Sequence, residues 1–454
     1  MHSPKSLTLA GTGEAVITLP TTMQNTAHLL RTRRFLPIFV TQFLGAFNDN
    51  LFRTSMVMLV IYGIYKDATQ EATFSAIAGG LFILPFFLLS ALSGQLADER
   101  DKAKLVRIVK TAEILIMMVG AAGLLIHNVP LLLAALCAMG IHSTFFGPIK
   151  YAILPQHLAT DEVLGGTGLV EAGTYIGILG GTLLGGVLVL QRPDGSYHAE
   201  YAAVAVLLVA ILGRIAGQHV PPAPPDPDAP PFRFDWHIVR ASIRLVNATM
   251  HIPRLFLAIL AISFFWAMGA VLAAQFPPLV KNALGADQTV ATLFLATFSV
   301  GVAIGSVAVN RLLKGKVSAK YSPASALLMG LFVLDLYRRV KGWPLAGTEL
   351  RDLAAFHAVP NSWMIVIDLL GVAIAGGMFV VPLYAFLTTT VSKAETARTI
   401  AANNIVNSGL MVAATLILTV AVQMGVTVAD SLLIVAVASI FAAWLGWKLH
   451  LACD

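Results

Sequence analysis

Twelve apolar runs of 17 to 30 residues follow one another along this 454-residue chain. About 20 consecutive apolar residues cross a hydrocarbon layer, and lipid offers no partner to a free backbone N–H or C=O. Runs of this length can therefore satisfy their backbone only as helices. Composition points the same way: 57% of residues are apolar and 12% are charged, about half the charge density that covers a soluble domain. An all-α membrane protein is expected. Its spans fall near 35–62, 73–96, 105–127, 130–155, 163–190 and 199–218, then 254–280, 288–312, 321–337, 362–391, 398–424 and 428–448, the ninth being the least apolar.

The net charge of +6 is read as topology, because basic residues flanking spans mark cytoplasmic loops. No nucleic-acid partner is expected. With both termini in the cytoplasm, 22 of the 30 Lys and Arg lie inside. Lys66, Arg192, Lys281, Arg338, Arg339, Lys341 and Arg351 lie outside, and Arg53 sits within a span. Cys137 and Cys453 provide neither a disulfide framework nor a metal pair, so neither cofactor nor metal is expected. Residues 1–34 have no signal-peptide core and read as a cytosolic tail. A six-helix half over 35–218 and a second over 254–454 flank a cytosolic linker, 219–253. Seven prolines in 221–231 hold that linker extended. An amphipathic stretch follows, with Ile238, Ile243, Leu245 and Val246 toward the membrane surface and Arg240 and Arg244 toward phosphates.

The halves resemble each other. Leu169-Val-Glu-Ala-Gly173 matches Ile405-Val-Asn-Ser-Gly409 at an offset of 236, and Phe145-Phe-Gly-Pro148 matches Phe379-Val-Val-Pro382 at 234. Two nearly equal offsets signal an internal repeat. Twelve spans with a long central linker resemble the major facilitator superfamily, as does the loop Gly94-Gln-Leu-Ala-Asp98-Glu-Arg100-Asp-Lys-Ala-Lys104. In this loop Glu99 and Asp101 depart from the superfamily's pattern. Asp98 and Arg100 are expected to gate, with Asp98 against a facing helix N-terminus; the alternative is a solvated charge run.

Ionisable residues inside spans are costly and default to functional candidates. Asn48, Asp49, Asn50 and Arg53 lie in span one, with Asp49 and Arg53 four apart on one helix face. Lys150 follows Gly147-Pro148 in span four, where proline frees a carbonyl. Glu171 lies in span five and Glu113 in span three, while span eleven offers the amides Asn403, Asn404 and Asn407. The substrate set is taken as Asn48, Asp49, Asn50, Arg53, Lys150, Glu171, Asn404 and Asn407. The plainer alternative pairs Asp49 with Arg53 and Lys150 with Glu171 as structural ion pairs. Glu113 and His142 read more simply as a wetted acid and a satisfied bundle histidine. Gly173, Gly177, Gly181 and Gly185 form a smooth strip in span five, echoed by Gly301 and Gly305 in span eight. These strips are either static packing faces or a seam that parts between the halves, and Gly173, Gly177, Gly181, Gly301 and Gly305 join the gating candidates.

Five motifs resemble the bacterial lysophospholipid transporters over about residues 35 to 450. They are Gln42-Phe-Leu-Gly-Ala-Phe-Asn-Asp49-Asn50, Gly147-Pro-Ile-Lys150-Tyr-Ala-Ile-Leu154, Gly168-Leu-Val-Glu171-Ala, Phe264-Phe-Trp-Ala-Met-Gly269 and Gly376-Gly-Met-Phe-Val-Val-Pro382-Leu. The resemblance implies a major facilitator fold of 12 transmembrane helices in two six-helix halves. It also implies a flippase carrying lysophosphatidylethanolamine and related lysolipids across the bacterial inner membrane to the cytoplasmic leaflet for reacylation. Stand-alone members carry an arginine in span seven where this chain reads Val271-Leu-Ala273-Ala-Gln275, and Arg53 is the candidate replacement. Asn48 and Gln275 resemble the transporter portion of acyltransferase-fused relatives. No H-x-x-x-x-D acyltransferase motif occurs here, so a separate acyltransferase or acyl-activating enzyme is the implied partner, beside membrane lipids. The chemistry is compatible: a zwitterionic head group needs a cation for phosphate and a carboxylate for ammonium inside the membrane. A proton-coupled exporter of drugs or small polar solutes, titrating Asp49 or Glu171, is the alternative, and a membrane-embedded acyltransferase a distant third.

Overall fold

A computed structural model describes residues 26–65, 68–191, 197–225, 234–344 and 350–453. Most of the expected N-terminal tail and part of the proline-rich linker lie outside these residues. Twelve long helices correspond to the twelve runs: α1 Leu36–Met58, α2 Ala68–Glu99, α3 Lys102–Leu125, α4 Val129–Ala152, α5 Thr160–Leu188 and α6 Glu200–Gln218, then α7 Pro253–Pro278, α8 Gln288–Leu313, α9 Ser322–Lys341, α10 Ser362–Thr390, α11 Thr396–Gln423 and α12 Ser431–Cys453. Ten of them are long and apolar enough to cross a membrane. The two that fall short carry the polar sequences: Asn48-Asp49-Asn50 and Arg53 in α1, and Asp335, Arg338, Arg339 and Lys341 in α9. Several starts are fixed chemically. Asp101, Asn128 and Asp287 accept backbone N–H bonds at the first turns of α3, α4 and α8, and proline opens α4, α7 and α9.

The repeat read from two short motifs extends to the packing. In the first half α1 packs on α5 and α6, α2 on α4, and α3 on α4 and α6. In the second, α7 packs on α11 and α12, α8 on α10, and α9 on α10 and α12. Even the π-helical turns match, Leu59–Ile64 after α1 and Leu279–Ala283 after α7. The halves meet along two equivalent seams, α2 with α11 and α5 with α8, and α4 and α10 reach across to α11 and α5. Between the halves an amphipathic linker helix, Ile238–Met250, rests on α2 and α11. Its Leu245 and Val246 pack with Ala241 against Ala91 and Ile405. They therefore face protein rather than the membrane surface expected of them, because burial against two helices removes more apolar area from water than one interfacial face can.

Candidate functional site

α1, α3 and α4 build a buried polar cluster in the first half. Lys110 and Glu113 lie one turn apart on α3, their charged groups 2.6 Å apart and almost fully buried. Glycines create the room: a Cβ at Gly45 would stand 2.9 Å from the Lys110 ammonium, and Gly213 and Gly217 border the same side chain. Asn48 donates to the other Glu113 oxygen at 2.8 Å, and His142 places Nε2 3.3 Å from the first. Glu113 is thus neither wetted nor incidental. Lys110, which from sequence belonged with the loop charges, lies inside the bundle; its Lys-x-x-Glu spacing on a span was the available signal.

This packing corrects two readings of the Asn48-Asp49-Asn50 triplet. Asn48 is fully buried, its amide nitrogen on Glu113 and its side-chain oxygen without a donor, and Asn50 donates to the Ala46 carbonyl of its own helix at 2.8 Å. Adjacent helix positions point about 100° apart, so one face cannot present all three. Asp49 is the member turned toward α4, where Ser143 donates to its carboxylate at 2.7 Å.

Lys150 on α4 feels Glu171 on α5 and, less strongly, Asp49 on α1 electrostatically. Neither expected ion pair is present among the described residues: no carboxylate closes on Lys150, and the exposed Arg53 is not paired with Asp49. Both oxygens of the buried Glu171 lack a hydrogen-bond donor. The Lys150 ammonium instead caps the ring of Tyr151 at 4.8 Å. Tyr151 stacks across the halves on Tyr384 of α10, ring centres 4.6 Å apart, and the Tyr384 hydroxyl accepts from Trp266 of α7 at 2.7 Å. Trp266 in turn lies parallel to Tyr175 of α5. On the facing side, Asn404 approaches Gly147 of α4, Asn407 accepts from Ser263 at 2.6 Å, and buried Gln275 leaves its carbonyl oxygen without a donor. The first half therefore brings charge and the second aromatic edges and amides. Tyr151, Tyr384 and Trp266 were not singled out from sequence, since an aromatic on an apolar helix reads as packing until its partner across the interface is known.

Asp98 and Arg398 join the two halves at one end. At the end of α2, Asp98 accepts from the backbone N–H of Ala397 at 3.0 Å and of Arg398 at 3.1 Å, and from Arg398 Nε at 2.9 Å. This is the expected carboxylate on a facing helix N-terminus, here that of α11. The cation is not Arg100, which is exposed beyond the helix end with no side-chain partner among the described residues. The facing helix supplies the cation instead, through Arg398.

The glycine strips do not line the seam. Gly173 packs on Phe39, Gly177 on the Phe43 carbonyl, and Gly181 and Gly185 on the backbone of Phe47 and Leu51, all on α1. Gly301 and Gly305 pack on Leu370, Ala373 and Ile374 of α10. They are packing faces inside each half, the plainer of the two expectations. Glycines that touch across the halves include Gly94, where a Cβ would meet Ala401 and Arg398, Gly147 beside Asn404, Gly315 beside the Asp161 carbonyl, and Gly168, where a Cβ would strike the Ser306 carbonyl. The remainder of the α5–α8 seam interlocks Tyr175 and Ile178 with Phe298 and Val302.

Comparison with known proteins agrees with this architecture. The Major Facilitator Superfamily signature matches residues 38–337. The chain is 26% identical over 365 residues to the lysophospholipid transporter LplT of Serratia proteamaculans, covering 79% of this chain and 80% of that one. It is 26% identical over 404 residues to that of Pectobacterium carotovorum, covering 88% and 89%. Among solved structures, the human organic anion transporter MFSD10 superposes with a TM-score of 0.72 at 13% identity, covering 91% of this chain and 99% of that one. The transporter FucP in its outward conformation gives 0.68 at 13%, covering 91% and 98%. Likeness at that identity speaks to fold alone. The superfamily signature spans about two thirds of the sequence, the two halves repeat helix for helix, and the chain is a multi-pass membrane protein that belongs to the Major Facilitator Superfamily.

Proposed function

We propose that this transporter is a lysophospholipid flippase of the bacterial inner membrane, carrying lysophosphatidylethanolamine and related lysolipids to the cytoplasmic leaflet, where a separate acyltransferase or acyl-activating enzyme reacylates them. The observation that carries the reading is the charge set between the halves. Lys150 feels Glu171 and Asp49 electrostatically without closing on either, so one cation and two carboxylates are left for a zwitterion. Lys150 takes the phosphate, and Glu171 or Asp49 takes the ammonium. The named function of the similar transporters from Serratia and Pectobacterium supports the same substrate class.

The excess of Lys and Arg at the end that holds both termini and Asp98 supports a cytoplasmic location for that end. The state described here is then closed toward the cytoplasm. Hydrating a long acyl chain costs about 0.8 kcal/mol per CH₂, so the head group enters sideways between the halves while the tail remains in hydrocarbon. A zwitterion carries no net charge across the membrane potential, and consumption by acylation sets the direction. Uptake of lysophosphatidylethanolamine into proteoliposomes, with and without a proton gradient, tests the proposal. Uptake that persists without the gradient and is lost in folded Lys150→Ala supports it. Export of small solutes that requires the gradient, with no lysolipid uptake, replaces it with the proton-coupled exporter.

A further inference from the structure

The linker helix has one face covered and one bare. Its inner residue Ala241 clusters with Ala91 of α2 and Ile405 of α11, and the helix packs on both of those helices, so it lies across the seam between the halves. Just before it, the Asp235 N–H donates to the Gln95 side chain at 2.9 Å, three residues from the gate carboxylate Asp98. The opposite face exposes Trp236 at 77%, Val239 at 66% and Ile243 at 58%. These residues border an open cleft of about 1060 Å³ that Arg240, Arg244 and His251 also line. Only His251 and Ile252 separate this helix from spanning α7, which holds it at the level where a membrane surface begins. Exposed Arg240, Arg244 and Arg254 outnumber Asp235, the single acid from 234 to 254, and Asp235 is shared by Arg240 at 2.9 Å and Arg244 at 3.2 Å.

A bare apolar face flanked by arginines, fixed at a bilayer surface, is complementary to a lipid with a phosphate above its chains. We propose that an anionic phospholipid of the adjoining leaflet docks on the outer face of the linker helix, chains against Trp236, Val239 and Ile243 and phosphate on Arg240 and Arg244, and that this docking latches α2 to α11 at the closed gate. Lipid that fixes the helix in this orientation favours the state in which its inner face is also satisfied on both halves. The inference concerns the surrounding lipid and stands whatever the cargo.

The test uses the full chain with Cys137 and Cys453 replaced by serine and a spin label at Val239→Cys, reconstituted in phosphatidylethanolamine vesicles with or without phosphatidylglycerol. Phosphatidylglycerol is expected to move the label into hydrocarbon, read by oxygen against aqueous relaxant. Replacing Arg240→Gln and Arg244→Gln is expected to cut the embedded-to-aqueous ratio roughly fivefold per arginine. A label that stays aqueous, or is equally embedded with and without phosphatidylglycerol, overturns the docking; this comparison needs no arginine variant to fold. Labels at Arg100→Cys and Lys393→Cys report the gate, and a distance distribution unchanged by phosphatidylglycerol overturns the latch.

Discussion

Replacing Asp98 with alanine isolates a contact that joins the two halves. The carboxylate is 5% exposed and takes three hydrogen bonds from the start of α11, while the Arg398 side chain, 22% exposed, also donates to the Ala394 carbonyl at 3.1 Å. Hydrogen bonds to a charged group are worth about 1.5–3 kcal/mol each. Most of that is recovered in the open state, where water reaches the same donors, so the loss assigned to closure is roughly 2–4 kcal/mol. At 1.4 kcal/mol per tenfold this shifts the closed-to-open ratio by roughly 30- to 1000-fold. Asp98→Asn, which keeps an acceptor but not the charge, is expected to lose about half that free energy. Spin labels at Arg100→Cys and Lys393→Cys, both exposed positions on opposite halves, read the result as a distance distribution. It should be narrow in the parent and displaced to longer distance in Asp98→Ala. An unchanged distribution in folded Asp98→Ala protein would refute the idea that this carboxylate holds the halves together.

Four other outcomes follow from the same geometry. Glu171→Gln, with no hydrogen bond to lose, is expected to preserve the fold and weaken lysolipid transport, measured as uptake against thermal stability in detergent; normal uptake removes Glu171 from the site. Lys110→Met strands the buried Glu113 charge and should cost about 3–5 kcal/mol of stability, much of it regained in Lys110→Met with Glu113→Leu; a silent single variant would show the pair to be solvated. Gly181→Leu, whose side chain would run into the Phe47 backbone, should abolish folded yield, whereas Gly186→Ala, with only the Met58 methyl near contact, should not, as size-exclusion profiles would reveal. Arg240 holds the Asp235 carboxyl from 3.8 down to about 2; a depressed acid contributes above its unfolded value and loses its contribution as pH falls through about 2, so with His237→Gln and His251→Gln removing the other titrating groups at the helix ends, linker-helix docking, followed by the mobility of a label at Val239→Cys, should be flat from neutral pH down to about 5.

The sequence determined the number of spans and the repeat, because hydrocarbon imposes a length and a backbone demand that leave one solution per apolar run. It also placed Asp49, Lys150 and Glu171 among the functional candidates, since a charge inside a span is expensive wherever it points, and it set Asp98 against a helix end. Partners were a different matter, for helical periodicity gives a side chain's direction relative to its own helix and says nothing of which helix stands opposite. Glycines every four residues in α5 are equally suited to α1 and to α8, and only the packing assigns them to α1. Asn48 and Asn50 share a motif with Asp49, yet the tertiary structure sends one to Glu113 and the other to its own backbone. Lys110 shows the same limit from the other side: a lysine near a span end reads as a loop charge until Gly45 and Gly213 on two neighbouring helices turn out to leave a passage for it. Tyr151 and Tyr384 lie 233 residues apart, and Arg398 lies 300 residues from Asp98. Their contact depends on the seams between the halves, where the two six-helix units meet and neither sequence alone contains the other's surface.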